Sequence, residues 1–327
     1  MSQYDIYGIG AALVDTEIEV SDQDLVRLGV DKGVMTLVDA ERQQALIKQL
    51  EGHLVASSRA SGGSGANSII AASYLGAKTF YSCKVADDDN GDFYLRDLAQ
   101  AGVSYHAACA KQSGITGRCL VMITPDAERT MTTFLGISES LSTDEIDEAA
   151  LSQATWAYIE GYLVTSATGK PAAKRLRQLA AEYGVRTAIS LSDPAIVKFF
   201  KSGLQEIIGD GVDLLFCNSA EALEFTGAAS IDIAIEKLKP WAKQMAITQG
   251  ASGAYLYDGK QLVHVDAVPV KAVDTNGAGD MFAGSFLYGL SRGMSFPEAG
   301  RLACRAAAMV VSQFGPRLRP EQHKEIS

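Results

Sequence analysis

The stretch Val273 to Phe286 reads V-D-T-N-G-A-G-D-M-F-A-G-S-F. Its residue types, in that order, can hold an anion and take up a proton. The preceding run 268–273 contains Pro269 and cannot be helix interior. Gly277-Ala278-Gly279 turns the chain, and from Asp280 small and apolar residues (Met281, Phe282, Gly284, Ser285, Phe286, Leu287, Leu290) follow at helical spacing. A glycine turn feeding a helix presents unpaired N–H groups and the positive end of the helix dipole, which suits an anion. An Asp at that spot would repel the anion if it were only a cap. As a general base it would take the proton from an incoming hydroxyl. Anion hole and base together are the parts of a phosphoryl-transfer site. The plain alternative is an Asp cap after a glycine loop, both common features, and local physics leaves the two open.

Four further groups carry chemistry. Ser61-Gly62-Gly63-Ser64-Gly65-Ala66-Asn67 opens a helix. It reads either as a flexible loop or as a side-chain-free surface for a polyol, with Asn67 donating and accepting hydrogen bonds. Asp15 follows the first strand and is either a surface turn acid or a carboxylate able to grip two vicinal hydroxyls. Asn218-Ser219-Ala220-Glu221 follows an apolar strand and fits a capping box. Thr248-Gln249-Gly250-Ala251-Ser252-Gly253 fits a hairpin turn leading to Tyr255. In the strand-like segment 129–135, Arg129 can steady a phosphate or a closed lid, or pair with a surface acid, and Phe134 can stack on a base or pack a core.

These motifs, in this order from Gly8 to Gly315, resemble the ribokinase-like (PfkB) carbohydrate and nucleoside kinases. D-T-N-G-A-G-D at 274–280 resembles the family's second signature, whose variable position is filled by Asn276. The stretch 61–67 resembles the first signature, which continues through Leu75-Gly76 to Val85-Ala86-Asp87-Asp88-Asp89-Asn90-Gly91, with Ala86 where a Gly is usual. The resemblance implies Asp280 as catalytic base, with Thr275, Gly277, Ala278 and Gly279 holding the transferred phosphate. It implies Asp15, Gly62, Gly63 and Asn67 as substrate contacts, with Phe134 a further candidate. Asn218 and Glu221 match an N-x-x-E motif that orders Mg²⁺ through water. Thr248, Gly250 and Gly253 match a turn at the nucleotide, here ATP. The family's nucleotide pocket also uses the last long helix, near Ala303 to Ala307, although the Asn that members often carry there is not found. Asp274, with carbonyls of Val310 and Gly315, is implied for a monovalent cation such as K⁺.

The implied fold is a single ribokinase-like α/β domain over 1–327. It has three α/β/α layers, a mostly parallel central sheet and a small β lid from about 14–20 and 104–136. The implied reaction is transfer from ATP-Mg²⁺ to a hydroxymethyl group. G-I-G-A-A-L-V-D at 8–15, K-G-V-M-T-L-V-D at 32–39 and E-R-T-M-T-T-F-L-G at 128–136 look most like bacterial members grouped with adenosine kinases. A purine nucleoside is therefore the first expectation. A sugar such as ribose, fructose or 2-keto-3-deoxygluconate is the alternative, although an acid sugar calls for a cationic clamp that the motifs lack. A non-catalytic nucleoside or sugar sensor is a third reading, against which the intact Asp280 and its glycines argue.

The elements that must position these residues follow an alternating pattern. Strands are expected at 4–10, 14–20, 79–85, 156–160, 186–191, 213–217 and 244–248. Helices are expected at 39–51, 65–75, 90–101 and 296–314. Short strand-like segments at 106–111, 115–124 and 129–135 form a meander, which with 14–20 would make a small sheet. Beyond Trp156 the alternation predicts a parallel sheet covered on both faces, with ligands at the carboxyl ends of its strands.

The chain has 327 residues, 47% of them apolar, ample for a large core, and a net charge of −10 that argues against a nucleic-acid surface. Cys83, Cys109, Cys119, Cys217 and Cys304 are scattered without C-x-x-C, as free thiols of a reducing compartment would be, and His53, His106, His264 and His323 have no ligand spacing. No signal peptide and no run of the ~20 apolar residues of a membrane helix is seen. The expectation is a cytoplasmic protein, a monomer or a homodimer through the lid.

Overall fold

The computed structural model describes residues 3–52, 60–106, 110–126 and 128–326. His53, Cys109 and the start of the expected 106–111 segment beyond His106 lie outside them. Nine strands form the main sheet in the order Leu262–Val265, Ala254–Tyr257, Ala242–Thr248, Val212–Asn218, Arg186–Ser190, Ala154–Glu160, Tyr4–Ile9, Thr79–Ser82, Val103–Ser104. Pairing is parallel from Ala242–Thr248 to the far edge, and a hairpin at 254–265 adds two antiparallel strands.

The strands are apolar on both faces because each face is covered by helices. Tyr7, Ile9, Ala157 and Ile159 pack with apolar faces of the helices Gly169–Glu182, Pro194–Ile208, Ser219–Thr226 and Ile231–Leu238. The alternate residues Ile6, Trp156 and Tyr158 pack against Ser64–Tyr74, Asp89–Gln100, Ala278–Ser291 and Phe296–Val311. The result is the expected α/β/α sandwich. Tyr4–Ile9 and Ala154–Glu160 lie side by side, and the connections leave in opposite directions from that pair. This is the topological switch point, where open α/β sheets bind ligands.

A second sheet runs Met35–Leu37, Arg129–Phe134, Gly117–Ile123, Leu13–Glu19, Ala60–Gly62. Its outer face (Ile18, Leu120, Met122) is packed by Asp22–Leu28 and Ala40–Gln49. Its composition differs from the expectation at both ends. Residues 103–104 pair at the edge of the main sheet, and 110–112 pair with Val85–Ala86 in a separate ribbon, so only 117–123 and 129–134 of the 104–136 stretch join it. Two three-residue strands, 35–37 and 60–62, complete it and were not anticipated. No helix among the described residues is long and apolar enough to cross a membrane, and Cys83, Cys119, Cys217 and Cys304 are buried.

Candidate active site

Between the carboxyl ends of the main strands and the inner face of the second sheet lies a cavity of about 420 Å³. The helix Ala278–Ser291 points its first turn into it. Gly277 is the N-cap, with φ of 73° and no side chain capping the first amides. An L side chain is disfavoured at that φ, and a β-carbon would also collide with the Pro316 carbonyl. A β-carbon on Gly279 would meet nothing within 4 Å. The Ala278 N–H closes the turn on the Thr275 carbonyl at 3.3 Å, and the space beside Gly279 is open, with the helix dipole behind it.

Asp280 sits in that turn with both carboxylate oxygens engaged. Ser64 Oγ donates to Oδ1 at 2.6 Å and Asn67 Nδ2 donates to Oδ2 at 3.1 Å. Burial pushes its pKa above the ordinary carboxylate value, while the Ser64 and Asn67 bonds and the nearby Arg129 charge pull it back. The net effect is a carboxylate more basic than a surface Asp, which favours proton uptake.

Asp15 lies across the cavity, 6% exposed, on the strand Leu13–Glu19. Gly62 stands against it, and a β-carbon there would overlap the Asp15 carboxylate. Gly63, at φ of 88°, lies close to the Ala11 carbonyl, which a β-carbon there would strike. Gly63 and Asn67 line the cavity, whereas Gly62 backs Asp15 from behind. Asp15 Oδ1 and Asn67 Oδ1 are buried acceptors without a hydrogen-bond partner, which fits them for hydroxyl donors. Burial, then the charge of Glu17, push the Asp15 pKa well up, while Arg317 opposes the rise. Arg317 itself is anchored to Asp97 at 2.8 Å.

On the other side of the cavity Asn218 and Glu221 form a reciprocal box. Glu221 N donates to Asn218 Oδ1 at 2.8 Å, Asn218 N to Glu221 Oε2 at 3.0 Å, and Asn218 Nδ2 to Glu221 Oε1 at 2.6 Å. Both residues cap a helix and both line the cavity, so the cap and site readings coincide. Burial, with Asp193 adding repulsion, raises Glu221 to about 7. Among the described residues no cluster of three or more His, Cys, Asp or Glu is built to cage a metal. The donor set suits an ion held chiefly by phosphate and water, with Glu221 as outer anchor, which is how Mg²⁺ is commonly bound.

Thr248, Gly250, Thr275, Ala278 and Gly279 line the cavity. Gly253 does not; at φ of 94°, with the Val265 carbonyl in the way of any side chain, it makes the turn between antiparallel strands. Asp274 is also off the cavity. Its Oδ1 accepts from Asn276 N at 2.8 Å and its Oδ2 from Gly315 N at 3.0 Å, so it shapes the loop. Phe134 falls on the wrong parity of its strand: Arg129, Met131, Thr133 and Leu135 face the cavity, and Phe134 does not. Ala303 and Ala306 are buried in helix packing and do not line it.

Other cavity residues escaped the sequence reading. Glu160, 1% exposed, ends the strand Ala154–Glu160 at the switch point and accepts from Ala11 N at 2.7 Å. Burial lifts it to about 8, and Gly10 leaves room for it, since a β-carbon there would strike Glu160 Oε2. Ser192, the only non-glycine at positive φ among the described residues (74°), and Asp193 follow the strand Arg186–Ser190. Their signal was positional: each follows the carboxyl end of an expected parallel strand.

Residues 35–323 match the profile of the pfkB family carbohydrate kinases. The chain belongs to that family. PfkB family kinases are phosphotransferases acting on hydroxyl groups. The adenosine kinase of Saccharomyces cerevisiae is 28% identical over 332 residues, covering 94% of this chain and 95% of that protein. Among solved structures, the adenosine kinase from Sinorhizobium meliloti superimposes with a TM-score of 0.93 at 32% identity, covering 100% of both chains. A probable sugar kinase from Rhizobium etli gives the same TM-score of 0.93 and 32% identity over 99% of each chain.

Proposed function

We propose that this PfkB family kinase transfers the terminal phosphoryl group of ATP to the hydroxymethyl group of a purine nucleoside, adenosine before others. The observation that carries the nucleoside over the free sugar is the apolar wall on the second sheet, across the cavity from Asp280. Met35, Leu37, Val121, Met131 and Leu135 line the inner face of the second sheet, a surface suited to a planar base and of little use to a polyol. The whole-length likeness to a rhizobial adenosine kinase supports the same reading. The equal likeness to a probable sugar kinase keeps ribose, fructose and 2-keto-3-deoxygluconate as the second reading.

In this mechanism Asp15 and Asn67 accept the sugar hydroxyls and present the hydroxymethyl oxygen to Asp280. Asp280 takes its proton as the oxygen attacks, an effect worth about 10²–10⁴ in rate. The helix start at Gly277 to Gly279 holds the transferring group with its outward amides and dipole, each donor worth about 10²–10³, while the Asn276 and Ala278 amides are engaged within the loop. Arg129, whose charge faces Asp280 and Asp274, adds positive potential. Thr248 and Gly250 line the nucleotide end. Glu221, with Asn218 behind it, would hold Mg²⁺, which when bound would supply charge neutralisation at the phosphates. The second sheet acts as a lid that keeps water from the phosphoryl group.

The test is ADP release from ATP-Mg²⁺ with adenosine, inosine, guanosine, ribose, fructose and 2-keto-3-deoxygluconate, with Asp280→Asn as control. Turnover on nucleosides supports the proposal. Turnover confined to a free sugar overturns the substrate assignment. Nucleoside binding without turnover points to a sensor.

A further inference from the structure

Asn276, 5% exposed, occupies the variable position of the anion-hole loop, and its side chain leaves that loop altogether. Its Oδ1 accepts from Arg129 Nη1 at 3.2 Å, and its Nδ2 donates to Glu17 Oε1 at 3.3 Å. Both partners belong to the second sheet, on the strands Arg129–Phe134 and Leu13–Glu19, which are separated there by Gly117–Ile123. One carboxamide thus spans three strands of the sheet. Its backbone is held from the other side, where Asn276 N donates to Asp274 Oδ1 at 2.8 Å.

We propose that Asn276 is a positioning residue that clasps the second sheet to the anion-hole loop, making the geometry of the hole and the seating of the sheet one structural unit. The inference rests on the kinase reading above and adds to it a coupling between two parts. The chemistry of the three groups fits the role. A guanidinium only donates, and the Glu17 carboxyl accepts here, its ionised form favoured by the Asn276 donor against burial, so the residue between them must offer one acceptor and one donor a short distance apart. A carboxamide does this. An Asp of the same shape would set two carboxylates face to face, and an Ala or Val would leave both charges without their bridge. The Arg129 guanidinium and the Glu17 carboxyl, from different strands, are thereby held at one point, immediately before Gly277. The clasp also fixes Arg129, whose charge bears on Asp280, Asp193 and Asp274. Releasing it would let the sheet lift and carry that charge from the site, so water would reach the phosphoryl group in place of the acceptor.

The deciding experiment reverses the hydrogen bond. Asn276→Asp opposes Glu17, and adding Glu17→Gln restores a donor facing an acceptor, with Arg129 still served. The expected result is that N276D lowers phosphoryl transfer at saturating acceptor by about tenfold or more. It should also raise the ratio of acceptor-independent ATP hydrolysis to transfer. The N276D/E17Q double variant, with the net charge of the native protein, should recover both toward native values. Equal behaviour of the single and double variants, with the native enzyme active, overturns the clasp while leaving the kinase reading intact. Absence of transfer by the native protein to any acceptor overturns the kinase reading instead. The clasp then stands on backbone hydrogen exchange of 117–123 and 129–134, which Asn276→Ala should accelerate relative to the native protein. Unchanged exchange there overturns it, and the same readout serves if N276D does not fold.

Discussion

Asn67 and Asp280 meet side chain to side chain, with Asn67 Nδ2 donating to Asp280 Oδ2 at 3.1 Å. The contact joins the first turns of two helices, Ser64–Tyr74 and Ala278–Ser291, through residues 213 positions apart. It brings the two glycine-rich motifs together on one carboxylate. Because Asn67 also keeps a buried oxygen free of partners, the pair can hold substrate and base in one frame. Asp280→Asn preserves the shape and removes the basicity. We expect it to fold and bind acceptor normally while turnover falls by at least about 10². Near-native turnover would remove Asp280 from its role.

Ser64 donates to the ionised form of Asp280 at 2.6 Å and so lowers its pKa. Ser64→Ala removes that stabilisation, and the pKa rises further. The acidic limb of the kcat/KM profile, below which the base is protonated, should therefore move to higher pH. A profile that keeps its acidic limb in place would show that another group titrates there.

Much of this site was readable because it is local. D-T-N-G-A-G-D and S-G-G-S-G-A-N each place their glycines and polar groups within one turn, where backbone geometry alone decides what faces outward. The layered sheet was readable for a similar reason, since strand and helix alternate with the proper periods. What was not readable depends on distant pairing. The strands 35–37 and 60–62 are three residues long and gain their order only from partners at 131–133 and 13–15. Phe134 depended on strand parity, which one register step reverses. Glu160 and Asn276 look ordinary in sequence. Their partners, Ala11, Glu17 and Arg129, lie more than a hundred positions away.

The two glycines flanking Ala278 should respond differently to the same methyl group. Gly277→Ala meets the Pro316 carbonyl and a φ of 73°, so backbone must move and stability falls by about 1–2 kcal/mol or more. Gly279→Ala meets nothing within 4 Å of the chain, so Tm should stay near native. Its methyl group projects where the phosphate is to be held, and transfer should fall by about 10². Thermal melting and single-substrate kinetics on both variants check this. A Gly279→Ala enzyme with native kcat would place the phosphate elsewhere.

Glu160 predicts how stability responds to pH. Its pKa rises to about 8 in the folded chain because burial disfavours the carboxylate, whereas the unfolded value is about 4.3. A raised folded pKa means that the native state holds the proton more tightly. The stabilisation is complete below the unfolded value and is lost as pH climbs to about 8. Within that window each unit costs up to about 1.4 kcal/mol. Asp15, Glu17 and Glu221, also raised by burial, push in the same direction. Tm measured without ligand should therefore fall between mildly acidic and mildly basic pH. Glu160→Gln, neutral throughout, should show a shallower fall. Identical slopes for the two proteins would mean that Glu160 is already ionised when the chain is folded at neutral pH.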